Sequence, residues 1–446
     1  MSFKEFKPYP KYKESGIKWL GEVPEHWEVK RLKHIADVRL SNVDKHTVEG
    51  QKIVRLCNYL DVYNNTHITS KIDFMSATAS DEQIERLSLQ KDDVIITKDS
   101  EDPSDIGIPA LVEEDIFGLV CGYHLAILRP IASNGEYLRY LLQSTFVRSA
   151  FEIEATGMTR YALGKYSIEN LTFALPHQSE QHSIALFLDH ETSRIDTLIS
   201  EKERLISLLQ EYRQALISHA VTKGLDPNVK MKDSKVEWLR EVPEHWEINK
   251  ISTISKKITN GYVGPTREIF VDYGVPYLQS LHIKNNRIIF EDHYYVSSEW
   301  SLNHEKSILE VGDVLIVQTG DIGRVAAVTS EFSGSNCHAL IIVSPIKQIV
   351  SGDWISIVLN SSFGFHSLSS IQTGALHPHL NCGNVKDLYI PIPCMEEQKS
   401  ILSFLRSGTS KIDSLIQEAE RAIELLKEYR QTLISAAVTG KIDIRG

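Results

Sequence analysis

The residues of this 446-residue chain best suited to chemistry or recognition fall in two matching sets of loops. Asn58 and Tyr59 precede the pair Asn64-Asn65, and Gln279 and Ser280 precede Asn285-Asn286. Asn and Gln carry the amides that can bond an adenine edge bidentately, so these positions suit base reading. Arg160 and Tyr161 follow Thr156-Gly157, and His377 and His379 follow Thr373-Gly374. In each case a glycine permits close backbone approach and a polar side chain follows. Arg324 closes a loop that begins Thr319-Gly320, where it can meet a phosphate or solvent. Catalytic constellations are not found: there is no G-x-x-x-x-G-K-[ST] loop, H-E-x-x-H, G-x-S-x-G or strand-linked G-x-G-x-x-G. The Asp-Pro-Pro-Tyr type of motif that grips an extruded adenine is missing as well; DPSD at Asp102 lacks the second proline and the aromatic. His377-Pro-His379 has no Cys or carboxylate neighbours, so no metal site is expected. His26 and His245, each in a PEHW turn between two tryptophans, read as packing residues.

The elements that must position these loops come in two copies. KYKESGIKWLGEVPEHWEVKRLK from Lys11 recurs as KMKDSKVEWLREVPEHWEINKIS from Lys230, with about 12 identities in 23 positions. From Pro176 to Asp226 every position aligns without a gap to Pro393 to Asp443, at an offset of 217 with roughly 30 identities in 51. EYRQALISHAVTK becomes EYRQTLISAAVTG, whereas the intervening blocks keep only a skeleton. KDDVIITKDSEDPSDIGIPALV stands beside VGDVLIVQTGDIGRVAAV, the first copy carrying about four extra residues. Each copy is thus a variable module followed by a nearly constant one. The implied segments are 1–175, 176–235, 236–392 and 393–446.

Ile195, Ile199, Ile206, Leu209, Leu216 and Ala220 lie at coiled-coil spacing, repeated by Ile412, Ile416, Ile423, Leu426, Leu433 and Ala437. Thr192 and Thr409 are expected N-caps, Gly224 and Gly440 expected stops, so each helix has about 30 residues and spans roughly 45 Å. A shorter helix is expected before each, opening at P-x-x-x-EQ. The variable modules read as mixed α/β, with short strands at Asp93-Val-Ile-Ile and Asp313-Val-Leu-Ile, a capped helix from Ser80, and hairpin turns at both Asn-Asn pairs. The fold class is therefore α+β: two mixed α/β modules joined by two long antiparallel helices, with approximate two-fold symmetry.

At 42% hydrophobic and 24% charged residues, the chain can bury two or three domain cores. No run approaches the roughly 20 apolar residues of a membrane span, and the charged start is unlike a signal peptide, which points to the cytoplasm. Five widely spaced cysteines without C-x-x-C read as reduced thiols. A net charge of -11 argues against a general nucleic-acid coat protein but not against a sequence reader with local basic residues.

The duplicated order of WL-x-EVPEHW, GDVLIVQTGDIGR, the TG loop, P-x-x-x-EQ and EYRQ-x-LIS-x-AVT resembles the specificity subunit of type I restriction-modification enzymes across essentially the whole chain. That resemblance implies a non-catalytic DNA-binding subunit. Each variable module would be a target recognition domain reading one half of a split, asymmetric double-stranded DNA site. The helices would set the spacing and bind two modification (methyltransferase) subunits, with restriction subunits completing the complex. It also implies no cofactor in this chain, with S-adenosylmethionine, ATP and Mg on partner subunits. A duplicated adaptor binding proteins or sugars through the variable modules is the competing expectation, slightly favoured by the acidic charge.

Overall fold

The computed structural model describes residues 6–374 and 378–445. Two compact units form, one from Met1–Glu203 with Arg421–Gly446 and the other from Arg204–Glu420. Each therefore contains one variable module and stretches of both long helices.

In the first unit a five-stranded sheet runs in the order Ala36–Leu40, Leu125–Pro130, Val94–Thr97, Pro109–Val112, His67–Ile68. A second sheet pairs Lys52–Cys57 antiparallel to Met75–Ala79 and parallel to Leu119–Cys121. The second unit repeats the plan: Ser255–Asn260, Leu340–Pro345, Val314–Val317 and Val325–Ala327 form the main sheet, and Val275–Leu278 lies parallel to Asn336–Cys337. The central strands Val94–Thr97 and Val314–Val317 are buried throughout because alternate side chains enter different cores. Val94 and Ile96 face the core shared with the helices, while Ile95 joins the core of the second sheet. Val314 and Ile316 separate from Leu315 and Val317 in the same way.

The expected short-then-long helix pairs are each one continuous helix, Gln178–Lys223 and Met395–Val438, of 46 and 44 residues. At 1.5 Å per residue these extend about 69 and 66 Å. Thr192 and Thr409 are interior rather than caps. Thr192 is buried with its hydroxyl bonded to that of Tyr140 at 3.0 Å, and no glycine or proline interrupts the first helix. Gly408 does not break the second, since a Cβ there would meet Leu216 Cδ2 at 3.1 Å; the missing side chain gives room for the facing helix. The expected stops hold: Gly224 and Gly440 have φ of +75° and +71°.

In the first unit Arg430 reaches Asp196 with two bonds of 2.9 and 3.2 Å, and in the second Arg213 reaches Asp413 at 2.9 Å. A position early in one helix thus meets one late in the other, and the helices run antiparallel. Of the expected seam, Ile195, Ala220, Ile412, Ile423, Leu433 and Ala437 are buried and the other six are half-buried.

The near-identity of the EYRQ-x-LIS motif now has a cause. Each module is held by the far end of the other copy's helix. Gln431 donates to the Gln143 carbonyl at 2.7 Å and Ser435 accepts from the Thr145 N–H at 3.0 Å. In the second unit Gln214 donates to the Asn360 carbonyl at 3.1 Å and Ser218 accepts from the Ser362 N–H at 2.9 Å. The opening and P-x-x-x-EQ motifs also meet. Glu180 accepts from Trp27 Nε1 at 3.2 Å and pairs with His26 at 2.8 Å, and Glu397 does the same with Trp246 and His245 at 3.1 and 2.9 Å. His26 and His245 are structural clamps, as their setting suggested.

One hairpin forms as expected: Asn285 and Asn286, at φ of +50° and +62°, join Ile283–Lys284 to Arg287–Ile288. Asn64-Asn65 does not. Asn58 and Asp61 make a capping box that starts a helix, Tyr59–Tyr63, and Asn64 ends it. Ser80 caps its helix with Gln83 as expected.

The first unit also encloses a charge network. Arg139, 2% exposed, bonds Glu136, and Glu136 lies 3.5 Å from His67. Burial alone would raise the Glu136 carboxyl, but His67 and Arg139 outweigh it and hold it at about 2, against 4.5 for a free glutamate. A carboxylate depressed in the folded state contributes stability that is complete above pH 4.5 and disappears as the pH falls towards 2. Urea unfolding is expected to lose stability across that window. Glu136→Gln should flatten that dependence.

Candidate nucleic-acid interface

In the first module, Asp99–Ser100 runs antiparallel to Tyr161–Ala162, closing the loop that starts at Thr156. Thr156 and Ala162 exchange backbone bonds of 3.1 and 2.9 Å. Gly157 has φ of +151°, and a Cβ there would sit 1.9 Å from the Arg160 carbonyl oxygen, so only glycine fits this turn. Arg160 leans back over the strand, its Nε 3.1 Å from Asp99. The same carboxylate, 8% exposed, meets Lys98 Nζ at 2.9 Å and His124 Nδ1 at 2.5 Å. Burial pushes the Asp99 carboxyl up, but the Lys98 and His124 hydrogen bonds and charges pull it below the usual range. A fixed anion thereby orients Lys98 and Arg160, which together exceed its charge.

Aromatic rings border this cluster. Tyr59 bonds Ser100 at 3.4 Å and stacks on Tyr63 at 5.6 Å, and Lys98 lies over the Tyr123 ring at 4.4 Å. Five of the expected residues, Tyr59, Thr156, Gly157, Arg160 and Tyr161, gather around one strand. Asn58 stands at the root of the same helix as Tyr59, its side-chain oxygen accepting from the Leu60 and Asp61 N–H groups. Sequence reading missed Lys98, Asp99, Tyr123 and His124. The available signal was KDS standing where the second copy reads QTG. The extra residues there form a short turn, Pro103–Asp105, capped by Asp102.

The second module builds the same loop with other chemistry. Thr373 and His379 exchange backbone bonds of 3.0 and 2.8 Å, Gly374 has φ of +96°, and Thr373 Oγ1 lies 3.2 Å from His379 Nε2. The Leu380 N–H donates to the Gln318 carbonyl at 2.9 Å, as that of Leu163 does to Lys98 at 2.8 Å. Gln318 thus stands in place of Lys98, leading into the loop with Gly320 at φ +77°. His377 lies outside the described residues. Among the described residues no cluster of three His, Cys, Asp or Glu side chains could hold a metal ion. Gln279 takes the place of Asn58, capping the turn Ser280–His282, with Ser280 exposed. Arg324 is separate from this group: it pairs with Asp321 at 3.1 Å and lines a cleft beside the long helices.

The type I restriction modification DNA specificity domain matches twice, over residues 24–207 and 243–425. The chain belongs to the type I restriction-modification specificity-subunit family. It is similar to a putative type I restriction enzyme MjaX specificity subunit of Methanocaldococcus jannaschii, 26% identical over 97% of this chain and 98% of that protein. The type I restriction enzyme EcoBI specificity subunit of Escherichia coli is 24% identical over 66% and 63% of the two chains. The fold is shared with a chain of a solved type I R-M system, at TM-score 0.70 and 14% identity over 93% of this chain and 98% of that one. It is also shared with the HsdS subunit from Thermoanaerobacter tengcongensis, at TM-score 0.58 and 17% identity over 96% and 100%. The two family matches fall one on each copy, so this specificity subunit has two recognition domains. No described helix is long and apolar enough to cross a membrane.

Proposed function

We propose that each recognition domain reads one half of a split double-stranded DNA site, the first through the loops around Asp99 and the second through those around Gln318. The observation that carries this reading is one backbone frame, the strand end joined to the TG loop, that gathers Lys98, His124 and Arg160 in the first copy and Gln318 and His379 in the second. A conserved frame with exchanged donors is what two readers of different sequences need. Asn58, Tyr59, Thr156, Gly157, Arg160 and Tyr161 serve the first half-site on this reading. Gln279, Ser280, Gly320, Thr373, Gly374, His377 and His379 serve the second, and Arg324 meets phosphate. The adaptor alternative is not favoured by the family match. Gln279→Ala is expected to cost about 1–3 kcal/mol at one base of the second half-site and nothing in the first. Selection of bound duplexes by wild type and variant tests this. Relaxation in both halves would show that the domains are not independent readers.

The long helices would dock two modification subunits, with restriction subunits joining the full complex. Leu198 and Leu208 of the first helix and their counterparts Leu415 and Leu425 of the second are exposed, so each helix offers apolar side chains at equivalent positions. Methyl transfer and cleavage then belong to those partners, with S-adenosylmethionine, ATP and Mg. This chain alone is expected to show no methyl transfer from S-adenosylmethionine to any duplex. Measurable transfer by the partner-free protein would refute the non-catalytic assignment.

A further inference from the structure

The 217-residue offset makes Glu136, Arg139, Tyr140 and Asp189 of the first unit the counterparts of Asp353, Ser356, Ile357 and Arg406 of the second. In the first unit these side chains fill the space beside the helices. Arg139 packs over the Tyr140 ring at 3.9 Å, lies 3.5 Å from Asp189 and bonds Glu136, while the Tyr140 hydroxyl donates to Asp189 at 2.7 Å. In the second unit Ser356 and Ile357 cannot reach so far. Ser356 instead donates to Asn286 of the hairpin at 2.5 Å. A cleft of about 850 Å³ is left, within the size range of small-molecule sites.

The lining has changed sign as well as volume. Asp189 has become Arg406, and Arg213, Lys284, Arg287 and Arg324 join it around the opening, against only Glu331 and Asp353. Arg213, Arg324 and Lys284 are partly engaged by Asp413, Asp321 and Glu291. Arg287 and Arg406 are exposed and have no ion pair among the described residues. The floor is apolar, from Ile217, Ile288, Ile357 and Leu405. Several guanidinium forks approaching one space from different elements suit the tetrahedral, multiply charged oxygens of phosphate better than a single carboxylate.

We propose that this cleft is a phosphate-binding site, separate from the recognition loops and present in only one of the two copies. Its ligand is a phosphate-bearing anion, with the guanidinium rim on the phosphate and the apolar floor under the remainder.

The test uses the full chain and titrates inorganic pyrophosphate and ATP by calorimetry. Two variants accompany the wild type. Ile357→Tyr with Arg406→Asp rebuilds the first unit's Tyr140–Asp189 pairing inside the cleft, and Arg406→Gln removes a single exposed cation, a change that leaves the core untouched. Thermal unfolding reports whether each is folded. The expected result is binding by wild type, at least tenfold weaker binding by the filled variant and several-fold weaker binding by Arg406→Gln. A parallel arm measures duplex binding by the chain with its modification subunits. If neither small anion binds but both variants weaken all duplexes alike and lower the salt slope by about 1, the phosphate belongs to the DNA backbone and the site stands. If the folded variants change neither small-anion nor duplex affinity, the proposal is overturned. Base preference within the half-sites is read separately, so the recognition assignment survives or fails on its own data.

Discussion

Glu180→Ala is expected to destabilise the first unit by roughly 3–5 kcal/mol, while Glu397→Ala costs about 1–2. Glu180 is a buried carboxylate that accepts from three donors: Tyr9 OH at 2.8 Å, Trp27 Nε1 at 3.2 Å and His26 Nε2 at 2.8 Å. Burial and the bond to Glu180 both raise the Tyr9 phenol, so it stays a neutral donor. Truncation leaves the fully buried Trp27 indole N–H and the Tyr9 hydroxyl without an acceptor. Their desolvation is then uncompensated. Glu397 has the Trp246 and His245 contacts, and its side chain is 27% exposed, so water can replace much of what is lost. Urea unfolding of the two variants, followed by tryptophan fluorescence, checks the difference. Equal losses would mean that the third donor and the deeper burial contribute nothing. Because the clamp fixes the start of a module to the start of its helix, Glu180→Ala should also loosen the first domain while the second keeps its stability.

The duplication made most of this architecture legible. Gapless identity from Pro176 to Asp226 and Pro393 to Asp443 located both helices, and the seam spacing gave their buried face. The N-cap reading at Thr192 and Thr409 failed because a Ser/Thr pair in a helix can satisfy its hydroxyl elsewhere. Thr192 does so through Tyr140, and nothing in the local sequence announces a partner about 50 residues earlier. The Asn64-Asn65 turn failed for a related reason. Asn58 and Asp61 stand three apart, a capping-box spacing that starts a helix running up to Asn64, whereas the Gln279–His282 box caps only a three-residue turn that ends before Asn285-Asn286. The site was half legible. The TG loops, with glycines forced to positive φ, were visible as motifs. Asp99 and His124 were not, since 25 residues separate them and only strand pairing brings them to 2.5 Å. Arg324 was visible as a cation, but its place beside the helices follows from a strand register that the sequence does not state.

Inserting four residues after Leu209 and four after its counterpart Leu426 is expected to lengthen the spacer of the bound DNA site by one to two base pairs while both half-sites keep their sequences. Both positions lie inside helices that continue unbroken for 46 and 44 residues, so the insert adds about 6 Å of rise to each instead of bulging as a loop. The Asp196–Arg430 pair holds in the first unit and the Arg213–Asp413 pair in the second. Each insert falls between one helix's two ion-pair positions, so neither pair has to break. The same follows for the module contacts of Gln431 and Gln214, which lie beyond the inserts. Four residues overshoot one helical turn by about 40°, a rotation that an antiparallel pair can absorb as a local change in supercoil. Selection of bound duplexes by wild-type and extended chains, each with modification subunits, gives the spacer directly. Since the loops around Asp99 and Gln318 are untouched, any change in half-site sequence would point to damaged recognition domains. An unchanged spacer in a folded, DNA-binding variant would mean that the helices do not measure the distance, and that flexibility within the recognition domains or the partners does.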